Sequence, residues 1–471
     1  MKTNFFKSIK DEVSDFFGTF AKGDWKTRLS YVIMGAGNFL RGQIARGLVF
    51  LLFEVLFFVY IFNGLGGESG LYWLSMLPSL GLTGPGEVYD AFYDQYVYQY
   101  NDNSFQILLY GVLTIFLIVA FVITWRANIK QARIAQETVK RGGKLNKIKD
   151  DLKSLVDEGF YKTLLALPVV GIFTFTVLPI VFMILVAFTN YDGTHDGYVT
   201  NLFNWVGFEN FFKLFEFNGS GNYGSVFVGI LGWTIVWAFF ATFSNYFLGI
   251  LTALMINRKS IKFKKLWRTI FVLTIAIPQF ISLLYVSKMF DKSGLINGFL
   301  VNSGILTTPY DFWGHAFSAR LLVILINIWI GVPYLMLIAT GILLNIPADL
   351  YEAARIDGAN PRQQFFHITM PYMLFVTGPY LLTSFTGNMN NFNVIYLLSA
   401  GGPTNSAASS ASGSVGYTDL LVTWLFKITT GAESQYYMAS VIGIVIFVVV
   451  ATITLIVYNL LPSNKNEGDF S

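Results

Sequence analysis

The chain has 471 residues, of which 54% are hydrophobic and only 13% charged, and its mean hydropathy is +0.54. A soluble domain carries about 25% charged residues, so a soluble globular class is excluded. The lack of alternating ten-residue segments excludes a β-barrel. There is no cysteine, the three histidines (His195, His315, His367) show no metal-ligand spacing, and the net charge of +4 matters only through where the charges fall.

In chain order, residues 1–41 are charged and aromatic, with no cleavable signal pattern. Eight apolar runs follow, at about 42–63, 105–125, 163–189, 226–256, 268–290, 319–345, 373–398 and 436–461. Each approaches or exceeds the roughly 20 residues that cross a bilayer core as helix. The expected class is an all-α polytopic membrane protein with eight transmembrane helices. Residues 126–162 read as a solvated or interfacial linker helix, and 462–471 as a tail. Lys and Arg gather in the N-terminus, this linker, Arg258–Arg268, the stretch 346–372 and the tail. Residues 64–104 hold none, against five acids: Glu68, Glu87, Asp90, Asp94 and Asp102. The positive-inside rule therefore makes both termini and the stretch 346–372 cytoplasmic.

The chemistry that is missing narrows the class. The nearest approach to a phosphate loop, Thr138–Leu145, lacks the first Gly and the final Ser/Thr, so the chain should bind no nucleotide itself. Ion-coupled carriers bury ionisable groups at membrane depth. Here only Glu54, in the first span, qualifies. It reads more simply as a carboxyl facing a neighbouring helix or the interface.

The deep spans carry neutral polar groups instead. Asn327, Ile330, Gly331 and Tyr334 fall at i, i+3, i+4, i+7, and Ser384, Asn388 and Asn391 at i, i+4, i+7. Each set makes one helical face. Amides, a hydroxyl, a small residue and an aromatic ring suit an uncharged polyol. The same pattern serves as polar glue between packed helices, and spacing leaves both readings open. Pro278 and Gly378-Pro379 mark sites where the fifth and seventh spans can kink, as helices around midplane substrate sites often do.

Between the sixth and seventh spans runs EAARIDGANPRQQFFHITMP, Glu352–Pro371. Pro347 suits a first helical turn, and Leu350, Ala353 and Ala354 give that helix a nearly bare side. Gly358 suits the left-handed residue that ends it. Asn360 can cap a second helix with Pro361 at its first position, and Pro371 marks the next span. The expectation is a helix–turn–helix across the cytoplasmic mouth.

Glu352-Ala353-Ala354, Asp357-Gly358-Ala359, Phe365, Ile368 and Pro371 resemble the EAA loop of the permease subunits of ATP-binding-cassette (ABC) importers. Asn327–Pro347, Ser384–Pro403, Gly416–Val422 and Trp205–Phe211 extend the resemblance to the larger permease of the maltose/maltodextrin type. It covers about residues 160–461, and the first two spans by topology only. The resemblance implies a six-helix permease core at 163–461 with a two-helix extension at 42–125. It implies a coupling loop at 346–372, with Glu352, Ala353, Ala354, Asp357 and Gly358 meeting a separate ATPase. Its substrate contacts match Asn327, Ile330, Gly331, Tyr334, Ser384, Asn388 and Asn391. It implies no catalysis and no cofactor in this chain, since ATP and Mg are bound by the partners. Those would be two ATPase subunits, a second permease and an extracellular solute-binding protein, with an oligosaccharide as cargo, a bacterial cell membrane as location and no nucleic acid. There are two departures. Gly387 stands where an aromatic is expected, and the outer loop 190–225 is short, as in the maltodextrin permeases of Gram-positive bacteria.

Overall fold

The computed structural model describes residues 14–460 except 65–66, 82–85, 100–101, 158, 198–201, 218–222, 259, 407–413 and 432, so residues 1–13 and the tail lie outside it. The described chain is mostly helical and forms two compact units, residues 1–206 and 207–471. The division falls after the third apolar run.

The first unit contains α1 (Trp25–Leu29), α2 (Ala36–Phe39), α3 (Ile44–Asn63), α4 (Gly70–Met76), α5 (Ser104–Lys140), α6 (Ile148–Val156), α7 (Phe160–Ile172) and α8 (Leu178–Val186). A π-helical turn, Phe173–Val177, joins α7 to α8. The all-α expectation misses a hairpin, β1 (Gly86–Asp90) with β2 (Gln95–Gln99), which pairs Tyr89 with Tyr96. Their rings lie 5.5 Å apart, and aromatic cross-strand pairs of this kind favour strands over helix. The linker also differs from expectation. Its first part continues the second span as one helix to Lys140, because nothing between Arg126 and Lys140 breaks a helix; Gly142-Gly143 then does.

Residues 24–43 fold back on α3 and α5 and are tied there by polar side chains. Asn128 accepts the Gly35 N–H and donates to the Ser30 carbonyl, both at 2.8 Å. Gln136 accepts from the Thr27 hydroxyl at 2.7 Å. Glu54 is buried, and its Oε2 accepts the Met34 N–H at 2.8 Å. The in-span carboxylate therefore caps the chain's own N-terminal segment.

The second unit contains α9 (Glu209–Leu214), α10 (Tyr223–Asn257), α11 (Lys264–Ala276), α12 (Gln279–Met289), α13 (Leu295–Asn302), α14 (Ala316–Leu344), α15 (Ala348–Ile356), α16 (Pro361–Gln364), α17 (Met370–Met389), α18 (Phe392–Ser399), α19 (Leu421–Thr430) and α20 (Tyr436–Leu460). The long helices α10 and α14 pack against each other closely. A Cβ on Gly249 would lie 2.6 Å from Leu335 Cβ, so a larger residue would push the pair apart.

Among the described residues, six helices are long and apolar enough to cross a membrane: Ile44–Asn63, Ser104–Lys140, Thr163–Val186, Tyr223–Asn257, Ala316–Leu344 and Tyr436–Asn459. The expected fifth span is a pair, α11 and α12, bent by 90° at Ile277-Pro278. Pro278 thus breaks its helix outright. The expected seventh span is α17 plus the short α18. Thr377, Thr383, Ser384, Thr386 and Asn388 dilute its apolar character, and α17 runs uninterrupted through Gly378-Pro379. Its break comes instead at Asn390-Asn391, where the Asn391 side chain accepts the Val394 N–H and starts α18.

The segment Gly416–Val422 gains a structural meaning. Asp419 is fully buried and accepts from the Gly416 N–H at 2.7 Å, the Thr423 hydroxyl at 2.9 Å and the Lys427 ammonium at 2.7 Å. Burial pushes its carboxyl above the usual range, against the opposing pull of Lys427. Gly401, at φ +84°, lies so close that a Cβ would sit 1.9 Å from Asp419 Oδ1. Asp419→Ala strands a part-buried ammonium and a buried N–H. It should destabilise the second unit by about 3–5 kcal/mol, read as an earlier thermal unfolding transition in detergent. An unchanged transition would show that this carboxylate holds nothing together.

Candidate functional site

Two apolar clusters of the second unit lie along α10 and α14. One cluster holds Trp233, Trp237, Ala241, Leu283, Leu322, Val323 and Ile326, with Val394, Ile395, Leu398 and Leu420. The other holds Tyr246, Ile250, Ala253 and Ile256, with Leu335, Met336, Ala339, Met370 and Met373. On α10 the first cluster ends at Ala241 and the second starts at Tyr246. On α14 the corresponding limits are Ile326 and Leu335. Thr242, Asn245, Asn327 and Gly331 occupy the gap between them. The result is a polar waist near the middle of two membrane-length helices.

Asn327 is 6% exposed and its Nδ2 has no hydrogen-bond partner. Asn245, 8% exposed, donates to the Ala241 carbonyl while its Oδ1 is unpartnered. A buried donor and a buried acceptor are thus both left open, each costing about 1–3 kcal/mol. Gly331 abuts the Asn245 amide: a Cβ there would lie 2.3 Å from Nδ2.

From the second predicted face, Asn388 donates to the Thr242 hydroxyl at 3.0 Å, and its carbonyl accepts from Trp237 Nε1 at 3.1 Å. Asn391 donates to Asn388 Oδ1 at 3.2 Å. Asn391 lies beyond the end of α17, yet the two amides stay adjacent because the break turns Asn391 back toward Asn388. Here these two amides act as glue between helices. Ser384 is half-buried one turn earlier on α17.

Beside the waist, the α11–α12 break opens a cleft of about 410 Å³. Ile330, Gly331 and Tyr334 line it, with Trp329, Gln279 and Ser282. That size falls within the roughly 300–1,000 Å³ of small-molecule sites. Tyr334 is 51% exposed and presents its ring to this space. Ser384, Asn388 and Asn391 are not among the residues that line this cleft. Asn245, Thr242, Gln279 and Ser282 escaped the spacing argument. Thr242 and Asn245 sit three apart on a helix whose apolar residues cover every side, and no periodic face marks them.

The stretch 346–372 adopts most of the expected geometry. α15 starts at Ala348 with Pro347 just before it. Gly358 takes φ +81° with open space around it, so conformation alone demands glycine there. Asn360 and Gln363 cap each other reciprocally at 2.8 and 2.9 Å, with Pro361 in the first turn. The second helix does not end before the span. It passes through a π-helical turn, Phe365–Thr369, into α17. Tyr351 pins α15 to that turn through the Thr369 hydroxyl at 2.9 Å. Glu352, Ala353 and Asp357 are exposed and Ala354 is half-buried, while Leu350 and Ile356 expose 48% and 86% of their surface. Among the described residues, none hydrogen-bonds the Glu352 side chain.

Residues 245–465 match the family described as binding-protein-dependent transport system inner membrane component. The chain is 34% identical to the maltodextrin transport system permease protein MdxF of Bacillus subtilis, over 95% of this chain and 98% of that one. It is also 34% identical to the maltodextrin permease protein MalC of Streptococcus pneumoniae, over 94% and 97%. With the galactooligosaccharides permease protein GanP of Bacillus subtilis it shares 33% identity over 93% and 97%. Among solved structures, a bacterial ABC transporter that imports alginate shares the fold at a TM-score of 0.52 and 21% identity, covering 66% of this chain and 97% of that one. A polar waist between two apolar clusters and an exposed EAA-type loop, on a chain with such relatives along its whole length, identifies a multi-pass member of the binding-protein-dependent transport family, a permease subunit of a sugar ABC importer.

Proposed function

We propose that this permease carries maltose, maltodextrins or a related oligosaccharide inward by alternating access. One observation carries the reading: the uncharged waist between two apolar cores, where Asn245 Oδ1 and Asn327 Nδ2 are buried without partners. Sugar hydroxyls are both donors and acceptors, so one ligand can satisfy both. Asn327, Ile330, Gly331, Tyr334, Ser384, Asn388 and Asn391 are its proposed contacts. For Asn388 and Asn391 this requires the present inter-helix bonds to be exchanged for sugar hydroxyls as the helices move.

Energy comes from outside the chain. Two ATPase subunits hold ATP and Mg, and Glu352, Ala353, Ala354, Asp357 and Gly358 present the coupling loop to one of them. The exposed Leu350 and Ile356 add an apolar surface for that contact. A second, similar permease and an extracellular solute-binding protein complete the assembly. Eight crossings, six in the core and two in the N-terminal extension, put both termini in the cytoplasm. An ion-coupled symporter fits less well, because the Met34 N–H already engages Glu54.

The test is Tyr334→Ala in the reconstituted complex. Sugar-stimulated ATP hydrolysis should fall about tenfold or more while assembly is kept, about 1.4 kcal/mol of lost contact. Disassembly instead would make this face a packing surface. An uptake screen over glucans and galactans of several lengths then fixes the sugar. Uptake abolished by a protonophore at constant ATP would favour ion coupling.

A further inference from the structure

We propose that Arg320, at the outer end of α14, anchors an acidic side chain of the solute-binding protein. This rests on the reading above that such a protein docks on the extracellular side. Arg320 lines a cavity of about 480 Å³, with Ser225, Ile230 and Trp233 of α10 and with Tyr417 and Asp419. Its guanidinium lies over the Trp233 ring at 4.5 Å, and its Nε donates to the Tyr417 carbonyl at 2.7 Å. These contacts fix the guanidinium plane and leave the charge without a counter-ion. Nη1 and Nη2 make no hydrogen bond to the described residues, so both are left for a bidentate acceptor.

The other outer cations of the second unit show what is missing. In residues 207–225, 286–320 and 400–435 the Lys and Arg residues are Lys213, Lys288, Lys292, Arg320 and Lys427. Lys213 pairs with Glu209, Lys288 with Asp291, Lys292 with Asp311 and Lys427 with Asp419, all at 2.7–2.9 Å. Among the described residues, Arg320 pairs with no carboxylate, and residues 218–222, 407–413 and 432 contain no acid. Asp419 lines the same cavity, but Lys427 neutralises it. A half-buried guanidinium is costly to leave without an anion, and Arg is enriched among interface anchors.

Position selects the occupant. Arg320 stands seven residues, roughly 10 Å, from Asn327 of the waist. Leu322, Val323 and Ile326 of the first apolar cluster lie between them, so an anion at Arg320 stays outside the sugar route. The exposed ridge of α14, Phe317, Leu321 and Leu325, is left to lipid, whereas the guanidinium turns to α10 and Tyr417. A neutral sugar supplies no counter-charge. The partner that arrives from this side is the solute-binding protein, and a carboxylate on its docking face is the complementary charge.

The affinity of the sugar-loaded binding protein for the complete transporter tests this, in nanodiscs of phosphatidylcholine and, separately, of phosphatidylglycerol. The wild-type complex should weaken as salt rises. Arg320→Gln should weaken it about tenfold or more, and Arg320→Lys less. Lys292→Gln, an equal charge loss at a cation already paired with Asp311, should change it less than about twofold. Because Arg320 also packs on Trp233, a second arm separates anchoring from folding. Arg320→Glu should bind weakest. One Asp→Arg or Glu→Arg variant of the binding protein, found by scanning its acidic surface residues, should restore that affinity to within about threefold of wild type. Unaltered affinity in Arg320→Gln, or failure of every reversed variant to rescue Arg320→Glu, would overturn the anchor and leave Arg320 a tie between α10 and α14. No binding to the wild-type transporter would instead overturn the docking reading itself. A loss confined to phosphatidylglycerol nanodiscs would make the occupant a lipid phosphate and overturn the proposal.

Discussion

Gly331→Val should abolish sugar-stimulated ATP hydrolysis in a complex that still assembles. The Asn245 amide lies 2.3–2.9 Å from where the new Cβ would stand, so α10 and α14 must separate or the amide must turn away. Overpacking of this kind costs about 1–3 kcal/mol, which a membrane helix pair with two large apolar clusters tolerates. The waist does not, because the open amide groups lose their positions. Asn245→Leu makes the complementary case. Its Oδ1 is buried without a partner, so an apolar replacement should leave stability unchanged or raise it while transport falls. If both variants transport at the wild-type rate, the waist is only glue between helices and the proposed route is wrong.

Glu352→Lys should leave the chain folded and membrane-inserted but bring uptake to background. The side chain is exposed and unengaged within the described chain, so the reversal touches nothing internal. Its whole effect must fall on a partner, either as ATP hydrolysis uncoupled from transport or as failed assembly. Ala353→Trp separates the two candidates for the grip. A bulky ring on the bare face should block docking if that surface carries the contact, and should be tolerated if the Glu352 carboxylate does. Wild-type uptake in Glu352→Lys would end the coupling role proposed for it.

Local rules anticipated the elements that local chemistry builds. Gly358 at positive φ, the Asn360 cap, Pro361 in the first turn and the break at Pro278 all follow from one residue's backbone or side chain acting on its neighbours. Where two residues far apart in sequence decide, the reading was incomplete. Pro379 looked like a kink, yet α17 passes through it and breaks at Asn390-Asn391. Glu54 offered no visible partner, because that partner is the N–H of Met34, twenty residues earlier on a segment with no apolar periodicity. The aromatic pairing of Tyr89 with Tyr96 turned an acidic loop into a hairpin.

The amino-acid sequence by itself determined the membrane class, the apolar runs, the loop geometry at 346–372 and the family. Each is written in composition, in helix-length hydropathy or in spacings of a few residues. Only the tertiary structure decided that two apolar clusters flank a polar stretch of α10 and α14, and that Asn245 and Asn327 lie buried and open there. It also decided that Ile330, Gly331 and Tyr334 line a cleft, while Asn388 bonds to α10 and Asn391 bonds to Asn388. The physical reason is that a polar residue in an apolar helix has the same local signature whether it binds a ligand or a neighbouring helix. What separates the two is whether its hydrogen-bonding atoms find partners, and those partners come from other helices.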